Sequence, residues 1–329
     1  MYLIDNLGWF SHARRCPSDN FNPRPDINDI SLLVIHNISL PPGQFGTGCV
    51  QAFFCNELDC YSHPQLEELT GVQVSAHLFI DRNGDCFQFV RFLPPLSKKC
   101  DYLVLCVPPN LLRIFQEGLK SFPVCSTNDI KPGADFHVLL MDLPHLLGIA
   151  DPSTPIPYLD VREDRVERWA NRLPIKMLKV GLCWQGSRGY EMDYLRSIPF
   201  SALTPLIENS LANFVAIQKE YATETIPRMS KLLDLGPDLD NVDSFIDTAA
   251  VIMDLDLIIT SDTALAHLAG ALGKPVWVLL NSAPDWRWQL KSENTHWYQT
   301  MRLFRQTTPG DWTTVITDVQ KALNNFQRK

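Results

Sequence analysis

Three polar residues in the last third of the chain have the types and spacing of an anion-binding turn. Asp262 and Thr263 closely follow the apolar run at 255–260, and His267 lies four residues after Thr263, within the sequence SDTALAHLAG. This pattern predicts a strand, a polar turn and a helix that begins near Thr263. Because the first N–H groups of a helix bind anions, the turn could hold a phosphate group, and His267 could reach the same ligand.

A structural explanation of the same residues stays open. Asp is among the side chains that commonly cap helices, so Asp262 could serve only as an N-cap. His267 could likewise be a partly buried histidine that its neighbours satisfy. The motif alone does not separate these alternatives from ligand binding.

The sequence around this turn predicts an open, doubly wound α/β domain. From about residue 176 onward, short apolar runs typical of buried strands alternate with helical stretches. The strand-like runs are KVGLCW, NFVAIQ, LLDLG, LDLIIT and KPVWVLL. Such sheets bind ligands in the crevice at the carboxyl ends of their strands, which is where Asp262 lies.

The chain divides into three stretches. Residues 1–75 are rich in turn-forming residues and contain one strongly β-like run, SLLVIHN, which is too little for a separate core. Residues 76–160 and 161–329 each alternate strand-like and helix-like segments, and a proline-rich segment followed by the charged helical run VREDRVERWANRL lies between the two sets. We therefore predict two Rossmann-like domains, at 76–160 and 161–329, preceded by a separate segment at 1–75.

Composition excludes several classes of protein. The 329 residues include 29 Lys and Arg against 37 Asp and Glu, a net charge of -8, with no basic cluster, which argues against nucleic acid as a partner. No apolar run reaches the roughly 18 to 20 residues that span a bilayer, and residues 1–10 lack the features of a secretion signal. We expect a cytoplasmic protein without a membrane span. The nine cysteines form no C-x-x-C pair and are expected to be reduced thiols.

The stretch SDTALAHLAGALGKPVWVLL, followed by PDWRWQLKSENTHWYQTMRLFRQTTPGDW, resembles the carboxyl-terminal domain of glycosyltransferase family 9. That family contains the bacterial heptosyltransferases and related proteins with tetratricopeptide repeats, and this chain is more similar to the latter group. The resemblance runs from about Gly84 to the end. It implies a GT-B fold of two Rossmann-like domains that moves a sugar from a nucleotide-sugar donor to an unidentified glycan or protein acceptor, without a metal or other cofactor.

The same resemblance implies roles for individual residues. Asp262, Thr263 and His267 would contact the phosphates and sugar of the donor, and Ala264 stands where heptosyltransferases usually have glycine. The sequence WQGSR after the strand KVGLC resembles the family's glycine-containing loop, and Arg196 resembles a basic residue near the donor phosphates. The candidate donor-binding residues are Trp184, Gly186, Ser187, Arg196, Asp262, Thr263, Ala264 and His267.

A candidate general base lies near residue 85. The sequence NGDCFQFVRFLP resembles the family's G-D-x-x-Q-F-x-R stretch and places Asp85 where heptosyltransferases have their proposed catalytic base. A carboxylate facing the cleft could accept the proton of an attacking hydroxyl. DRNGD between two apolar runs is also a strong hairpin signal, so a plain turn is the alternative. Arg82 replaces the first glycine of the family's G-x-G-D loop and adds bulk and charge there.

The first ninety residues resemble a different family. ARRCPSDNFNPRPD, SLLVIHNISLPPGQFG, SHPQLEEL and VSAHLFIDRNGD resemble the amino-terminal half of the AmpD-type 1,6-anhydro-N-acetylmuramyl-L-alanine amidases, which act in peptidoglycan recycling. In that family the histidine corresponding to His36 binds a catalytic Zn²⁺. Catalytic zinc has three protein ligands, and the family's other two lie in its carboxyl-terminal half, which this chain lacks. His63 and His77 match no family ligand, but a site rebuilt from His36, His63 or His77 with a nearby carboxylate stays open. Zinc amidase activity is therefore the alternative function.

The two resemblances overlap at Gly84, Asp85, Gln88 and Val90, so the sequence predicts a natural chimera. An inactive fusion of the two enzymes is a third interpretation. We expect AHLFID, at 76–81, to serve as the first strand of the transferase. Residues 1–70 are then expected to form a loosely packed appendage.

Overall fold

The computed structural model describes residues 33–35, 83–129, 136–149, 151, 155–174, 177–186, 193–219, 226–242 and 244–326. Within these residues the chain forms two parallel β-sheets with helices packed against them, so the predicted α/β class is confirmed. The strands are β1 Leu33–Ile35, β2 Leu103–Val107, β3 Val124–Ser126, β4 Phe136–His137, β5 Lys179–Cys183, β6 Asn213–Ala216, β7 Leu232–Asp234, β8 Leu257–Ser261, β9 Val276–Leu280 and β10 Met301–Arg305.

The described helices are mostly short, and the longest has 13 residues. The α-helices are α1 Asn83–Phe89, α2 Leu93–Leu96, α3 Leu112–Gly118, α4 Leu143–Leu146, α5 Glu163–Ala170, α6 Asp193–Arg196, α7 Phe200–Asn209, α8 Ile246–Asp254, α9 Ala264–Ala271 and α10 Trp312–Asn324. Single 3-10 turns lie at Val90–Phe92, Pro109–Leu111, Thr127–Asp129, Leu140–Asp142, Gly236–Asp238 and Trp286–Trp288.

The first sheet has the order β3-β2-β1-β4. Strand β1 lies in its interior, where Leu33 is in register with Leu103 of β2 on one side and with Phe136 of β4 on the other. We expected residues 1–70 to be a separate appendage, but three of them occupy an interior position of this sheet. The physical reason is that a parallel sheet requires a short apolar strand between β2 and β4, and the run LVI has the β-branched residues that suit one. The predicted strand at 76–81 lies outside the described residues.

The second sheet has the order β10-β9-β8-β5-β6-β7. This is the strand order of Rossmann-type doubly wound sheets, and the chain reverses its direction of winding between the adjacent strands β5 and β8. Cys183 at the end of β5 is in register with Thr260 near the end of β8. The loops that follow these two strands therefore meet at one edge of the sheet, which is the position where such folds bind ligands.

Helix α1 joins the two halves of the molecule. It packs against α9, and its Phe87 and Phe89 belong to the same hydrophobic cluster as Ala266 and Ala269 of α9. The sequence DRNGD at 81–85 left a hairpin turn open as an alternative, and the structure has a helix from Asn83 onward. Because one apolar cluster continues across both halves, burial of apolar surface holds α1 against the second sheet.

The charged segment between the two sets of strands forms helix α5, as its sequence indicates. Its Trp169 is fully buried, and the indole N–H donates a hydrogen bond of 2.8 Å to Asp247 of α8. Arg165 forms an ion pair of 3.0 Å with Glu117 of α3. Helix α5 therefore contacts both halves of the chain.

Candidate functional site

The turn between β8 and α9 has the strand-turn-helix geometry that its sequence predicts. Strand β8 is fully buried, and Thr263 is the N-cap of α9, with φ −137° and ψ 169°. The Thr263 side chain forms no capping hydrogen bond, and its Oγ1 lies 3.2 Å from Oγ1 of Thr260. Asp262 is therefore not the N-cap, and the first N–H groups of α9 are not capped by the Thr263 side chain. Ala264 is the first residue of the helix.

The Asp262 carboxyl lies in a low-dielectric environment at this turn. Burial raises its pKa, and the neighbouring carboxylate of Asp285 raises it further. The positive charges of Arg196 and Arg287 act in the opposite direction. Two arginines therefore act on the Asp262 carboxyl: Arg196, which follows β5, and Arg287, which lies in the 3-10 turn after β9.

Arg196 connects the loop after β5 to the loop after β8. Its Nε donates a 2.8 Å hydrogen bond to Oδ1 of Asp193, and its Nη1 donates one of 2.8 Å to the carbonyl oxygen of Asp262. Gly186 lies directly beneath this ion pair, because a Cβ at that position would be 2.1 Å from Asp193 Oδ1 and 2.4 Å from Arg196 Nη2. The Gly186 N–H donates to the Ser197 hydroxyl at 3.1 Å. The switch point between β5 and β8 thus brings Gly186, Arg196 and Asp262 together.

Trp184 is positioned differently from the other candidates. Its indole is 1% exposed and packs against Phe200 with ring centroids 5.2 Å apart, so the side chain belongs to the core. Its backbone N–H donates to Oε1 of Gln218 at 3.1 Å. Ser187 lies outside the described residues, as do His36, His63, His77 and Arg82.

Asp85 lies in the first turn of α1 and is buried, with 3% of its surface exposed. Its Oδ1 accepts a hydrogen bond from Nη2 of Arg287, and the two side chains form a buried ion pair. The other guanidinium nitrogens of Arg287 donate to Gln88 Oε1 at 2.7 Å and to Asp285 Oδ1 at 2.9 Å. Arg287 therefore joins the 3-10 turn after β9 to two residues of α1.

Gly84 allows α1 to approach α9 closely. A Cβ at residue 84 would lie 2.9 Å from Cδ2 of the His267 ring and 3.3 Å from Cα of Ala264. A Cβ at this position would force the His267 ring or the backbone of α9 to shift, so glycine suits the close approach of the two helices. The helix that carries the candidate base Asp85 thus packs directly on the part of α9 that carries the candidate donor-binding residues Ala264 and His267.

His267 lies on α9 and is 5% exposed. Its ring stacks on the indole of Trp288 at 5.2 Å with an interplanar angle of 16°, and its Nδ1 lies 3.1 Å from the hydroxyl of Tyr298. Burial lowers the pKa of His267 well below the usual 6.5, and the charges of Arg287 and Arg91 lower it further. The imidazole is therefore neutral at pH 7.

Sequence reasoning missed the residues that hold Asp85 and His267 in place. Arg287 lies 202 residues from its partner Asp85, and Tyr298 lies 31 residues from His267. The only available signal was that both lie inside the long stretch resembling family 9. No local spacing rule would have paired them with their partners.

A comparison with protein families identifies this region. Residues 239–309 match the family model of glycosyltransferase family 9 (heptosyltransferase). The matched segment is therefore similar to that family, and it includes Asp262, Thr263, His267 and Arg287. Protein FlbA of Caulobacter vibrioides is 30% identical over 158 residues, which cover 45% of this chain and 25% of FlbA.

A solved structure supports the fold. The crystal structure of the glycosyl transferase family 9 protein from Veillonella parvula superposes with a TM-score of 0.51 over 92% of this chain and 92% of that one, at 10% identity. The expected GT-B-like architecture with two Rossmann-like units is thus confirmed. At this identity the likeness establishes the fold alone.

The second resemblance is also confirmed. The 1,6-anhydro-N-acetylmuramyl-L-alanine amidase AmpD of Escherichia coli is 46% identical over 90 residues, which cover 27% of this chain and 49% of the amidase. The chain spans about half the length of the curated amidases that it matches. Segments similar to two enzyme families are therefore joined in this chain.

The described residues offer no metal centre and no membrane anchor of the helical kind. Among them, no group of three or more His, Cys, Asp and Glu side chains is arranged to hold a metal ion. No helix in the described ranges is long and apolar enough to cross a bilayer. The zinc site that the amidase resemblance assigns to His36 falls outside these ranges.

Proposed function

We propose that this protein is a GT-B glycosyltransferase that moves a sugar from a nucleotide diphosphate donor to the hydroxyl of an unidentified acceptor. One observation carries the proposal: Gly84, the residue before Asp85, packs against His267 and Ala264 of α9, beside the switch point of the second sheet. That switch point is where doubly wound sheets bind nucleotides. The match of residues 239–309 to family 9 supports the same conclusion.

The proposed donor site lies at the start of α9. The diphosphate would accept hydrogen bonds from the first N–H groups of the helix, which carry partial positive charge. Arg196, whose guanidinium lies over Gly186 and bonds to the Asp262 carbonyl, would add a full positive charge beside it. These groups would stabilise the negative charge that develops on the leaving nucleoside diphosphate.

Asp85 would act as the general base. The acceptor oxygen attacks the anomeric carbon, the bond from that carbon to the diphosphate oxygen breaks, and the hydroxyl proton passes to the Asp85 carboxylate. Arg287 compensates the buried negative charge of Asp85 before the reaction. Transfer therefore requires the acceptor to reach a carboxylate that is now held in an ion pair.

In this structure the candidate site between α1 and α9 is closed to solvent. Asp85 and His267 are 3% and 5% exposed, and Gly84 lies directly on the His267 ring. An acceptor would reach Asp85 only after α1 and α9 move apart. Substrate-induced separation and closure of two domains around a ligand is common in enzymes that exclude water from the reaction.

The test is donor binding by the full chain. Thermal unfolding would be followed with a panel of nucleotide sugars and free nucleotides, because a ligand at 100 times its Kd adds about 2.7 kcal/mol of stability. We expect one nucleotide class to raise the melting temperature by several degrees. Asp262→Asn and Arg196→Gln should abolish the shift, whereas Arg302→Gln, at an exposed arginine of the same domain, should retain it.

Release of nucleoside diphosphate from the donor identified in this way would test catalysis. Wild-type protein should release it when a suitable acceptor is present, and Asp85→Asn should bind the donor but release little. Donor binding without any release would favour an inactive fusion. No nucleotide shift in the wild type would contradict the proposal.

Zinc amidase activity is the second candidate, because the identity to AmpD over 90 residues is high. The amidase resemblance makes His36 a zinc ligand, and zinc would activate a water molecule there for attack on an amide. This candidate predicts one zinc per chain, lost in His36→Ala, and a melting temperature that falls with a chelator. Absence of zinc from metal-replete protein would remove this candidate.

A further inference from the structure

A buried chain of polar contacts leads from His267 into the first half of the molecule. Tyr298 lies beside Nδ1 of His267, and its hydroxyl oxygen is 3.5 Å from that of Tyr158. The Tyr158 hydroxyl donates to the carbonyl oxygen of Phe87 at 2.8 Å and accepts from Nη2 of Arg91 at 2.8 Å. The Arg91 guanidinium also lies over both tyrosine rings, 4.7 Å from Tyr158 and 4.4 Å from Tyr298.

Two of these polar contacts are hydrogen bonds to carbonyl groups at the end of α1. The last carbonyl groups of a helix have no partners within it. Tyr158 satisfies the carbonyl of Phe87, and Nε of Arg91 donates to the carbonyl of Gln88 at 2.8 Å. The positive charge of Arg91 is also favourable at a helix carboxyl terminus. The single proton of the Tyr158 hydroxyl is therefore committed to Phe87.

Two atoms could accept the hydroxyl proton of Tyr298: the hydroxyl oxygen of Tyr158 and Nδ1 of His267. The Tyr158 oxygen is 3.5 Å away, beyond the 2.5 to 3.0 Å range of good O–H···O bonds, and it already accepts from Arg91. His267 Nδ1 is 3.1 Å away and is the more basic atom. Tyr298 therefore donates to Nδ1, because Tyr158 is both further away and the weaker acceptor.

The surroundings of His267 keep its ring neutral and in one orientation. Arg287 and Arg91 are the charged groups that act on it, and both disfavour an imidazolium, as does burial. Trp288 covers one face of the ring, and the Cδ2–Nε2 edge faces Gly84, whose Cβ position is 3.7 Å from Nε2. A neutral ring that accepts at Nδ1 must carry its proton on Nε2.

We propose that Tyr298 is a positioning residue that holds His267 in the Nε2–H tautomer, so that the imidazole presents a hydrogen-bond donor at the α1–α9 contact. The ligand group that this donor fits is an oxygen acceptor, such as a phosphate or sugar oxygen of a nucleotide sugar. The inference rests on the proposed function for the identity of that ligand. The tautomer itself depends only on the protein.

The tautomer can be measured directly in the full chain. Histidine labelled with ¹⁵N would be incorporated, and the ring signals of His267 would be assigned by their loss in His267→Gln. We expect a protonated Nε2 and an unprotonated, hydrogen-bonded Nδ1 at pH 7.5 in the wild type. In Tyr298→Phe the Nδ1 signal should move and the two tautomers should mix. Tyr102→Phe, at a half-exposed tyrosine, should leave the signals unchanged.

Donor binding supplies the second part of the test. Loss of one hydrogen bond should weaken binding of the nucleotide sugar by about 3- to 10-fold in Tyr298→Phe, with no change in Tyr102→Phe. An Nδ1–H tautomer in the wild type, or signals unchanged in Tyr298→Phe, would overturn the inference. If the wild type binds no nucleotide sugar, the proposed function fails while the tautomer measurement still decides the role of Tyr298.

Discussion

Arg287 and Asp85 form a buried ion pair between residues 202 positions apart in sequence. Their side chains are 7% and 5% exposed, so water compensates neither charge. The pair ties the turn after β9 to the first turn of α1. Gln88 accepts a hydrogen bond from Nε of the same guanidinium, and Asp285 accepts one from Nη1.

Removing the arginine should therefore be strongly destabilising. Arg287→Met leaves the Asp85 carboxylate buried without its partner, and the free energy of unfolding should fall by about 3 to 5 kcal/mol. Urea unfolding measures this change. Arg302→Met, which breaks the exposed pair with Glu293, should change it by no more than about 1 kcal/mol.

Neutralising the carboxylate tests the cause of that loss. In an Asp85→Asn background, Arg287→Met should destabilise the protein much less than it does in the wild type, because no buried charge is left unpaired. Equal losses in the two backgrounds would mean that the arginine acts through packing rather than through charge.

A methyl group on residue 84 should disturb His267. Gly84→Ala places its Cβ 2.9 Å from the His267 ring and 3.3 Å from backbone, so we expect a stability loss of about 1 to 3 kcal/mol and weaker donor binding. Gly118→Ala is a matched control, since its Cβ would lie 2.5 Å from Leu159, away from the candidate site. The control should lose stability but keep the ¹⁵N ring signals of His267. Identical effects of the two variants on those signals would contradict the assigned contact.

His267 should make stability depend on pH on the acid side. Its pKa is about 6.5 in the unfolded chain and lower in the folded one, so below pH 6.5 the unfolded chain binds a proton that the folded chain does not. The contribution of neutral His267 to the free energy of unfolding is therefore fully present above pH 6.5, and it is lost as the pH falls towards the pKa of the folded state. Between pH 7.5 and 5.5 the free energy of unfolding, measured with urea, should therefore fall more for the wild type than for His267→Gln. Parallel curves for the two proteins would show that His267 does not titrate in this way.

The interior position of β1 can be tested by removing one backbone donor. Val34 is in register with Val104 and His137, one on each side. Val34→Pro removes an N–H from an interior strand, which a sheet tolerates poorly, and the melting temperature should drop by several degrees. Leu105→Pro in the neighbouring β2 is the positive control. If only Leu105→Pro destabilises the protein, β1 is not an integral strand.

Local patterns in the sequence predicted much of the second sheet. The apolar run before Asp262 and the helical spacing after Thr263 specify a strand, a turn and a helix without help from distant residues. The family resemblance assigned Gly186 and Arg196 to the same site as Asp262, and the structure has them close together, since parallel strands direct their carboxyl ends to one edge. These elements follow from short-range rules of periodicity and strand direction.

Other features depend on contacts that no local pattern encodes. In sequence, Trp184 lies next to the glycine-containing loop that resembles a donor-binding loop. Its indole nevertheless packs on Phe200, because the alternation of side chains along β5 directs it into the core. The ion pair of Arg287 exists only because the whole fold brings α1 onto the second sheet. The apolar run at Leu33–Ile35 was identified as a strand, but its sheet was not, since several sheets can accept such a run.

Strand β1 also bears on how such a chain could arise by recombination. Parallel pairing uses backbone N–H and C=O groups, so a sheet selects an interior strand for length and apolar character and not for its family of origin. A segment that resembles an amidase can therefore complete a sheet to which other parts of the chain contribute the remaining strands. Selection on Leu33–Ile35 would then follow the requirements of this sheet, independently of any amidase chemistry.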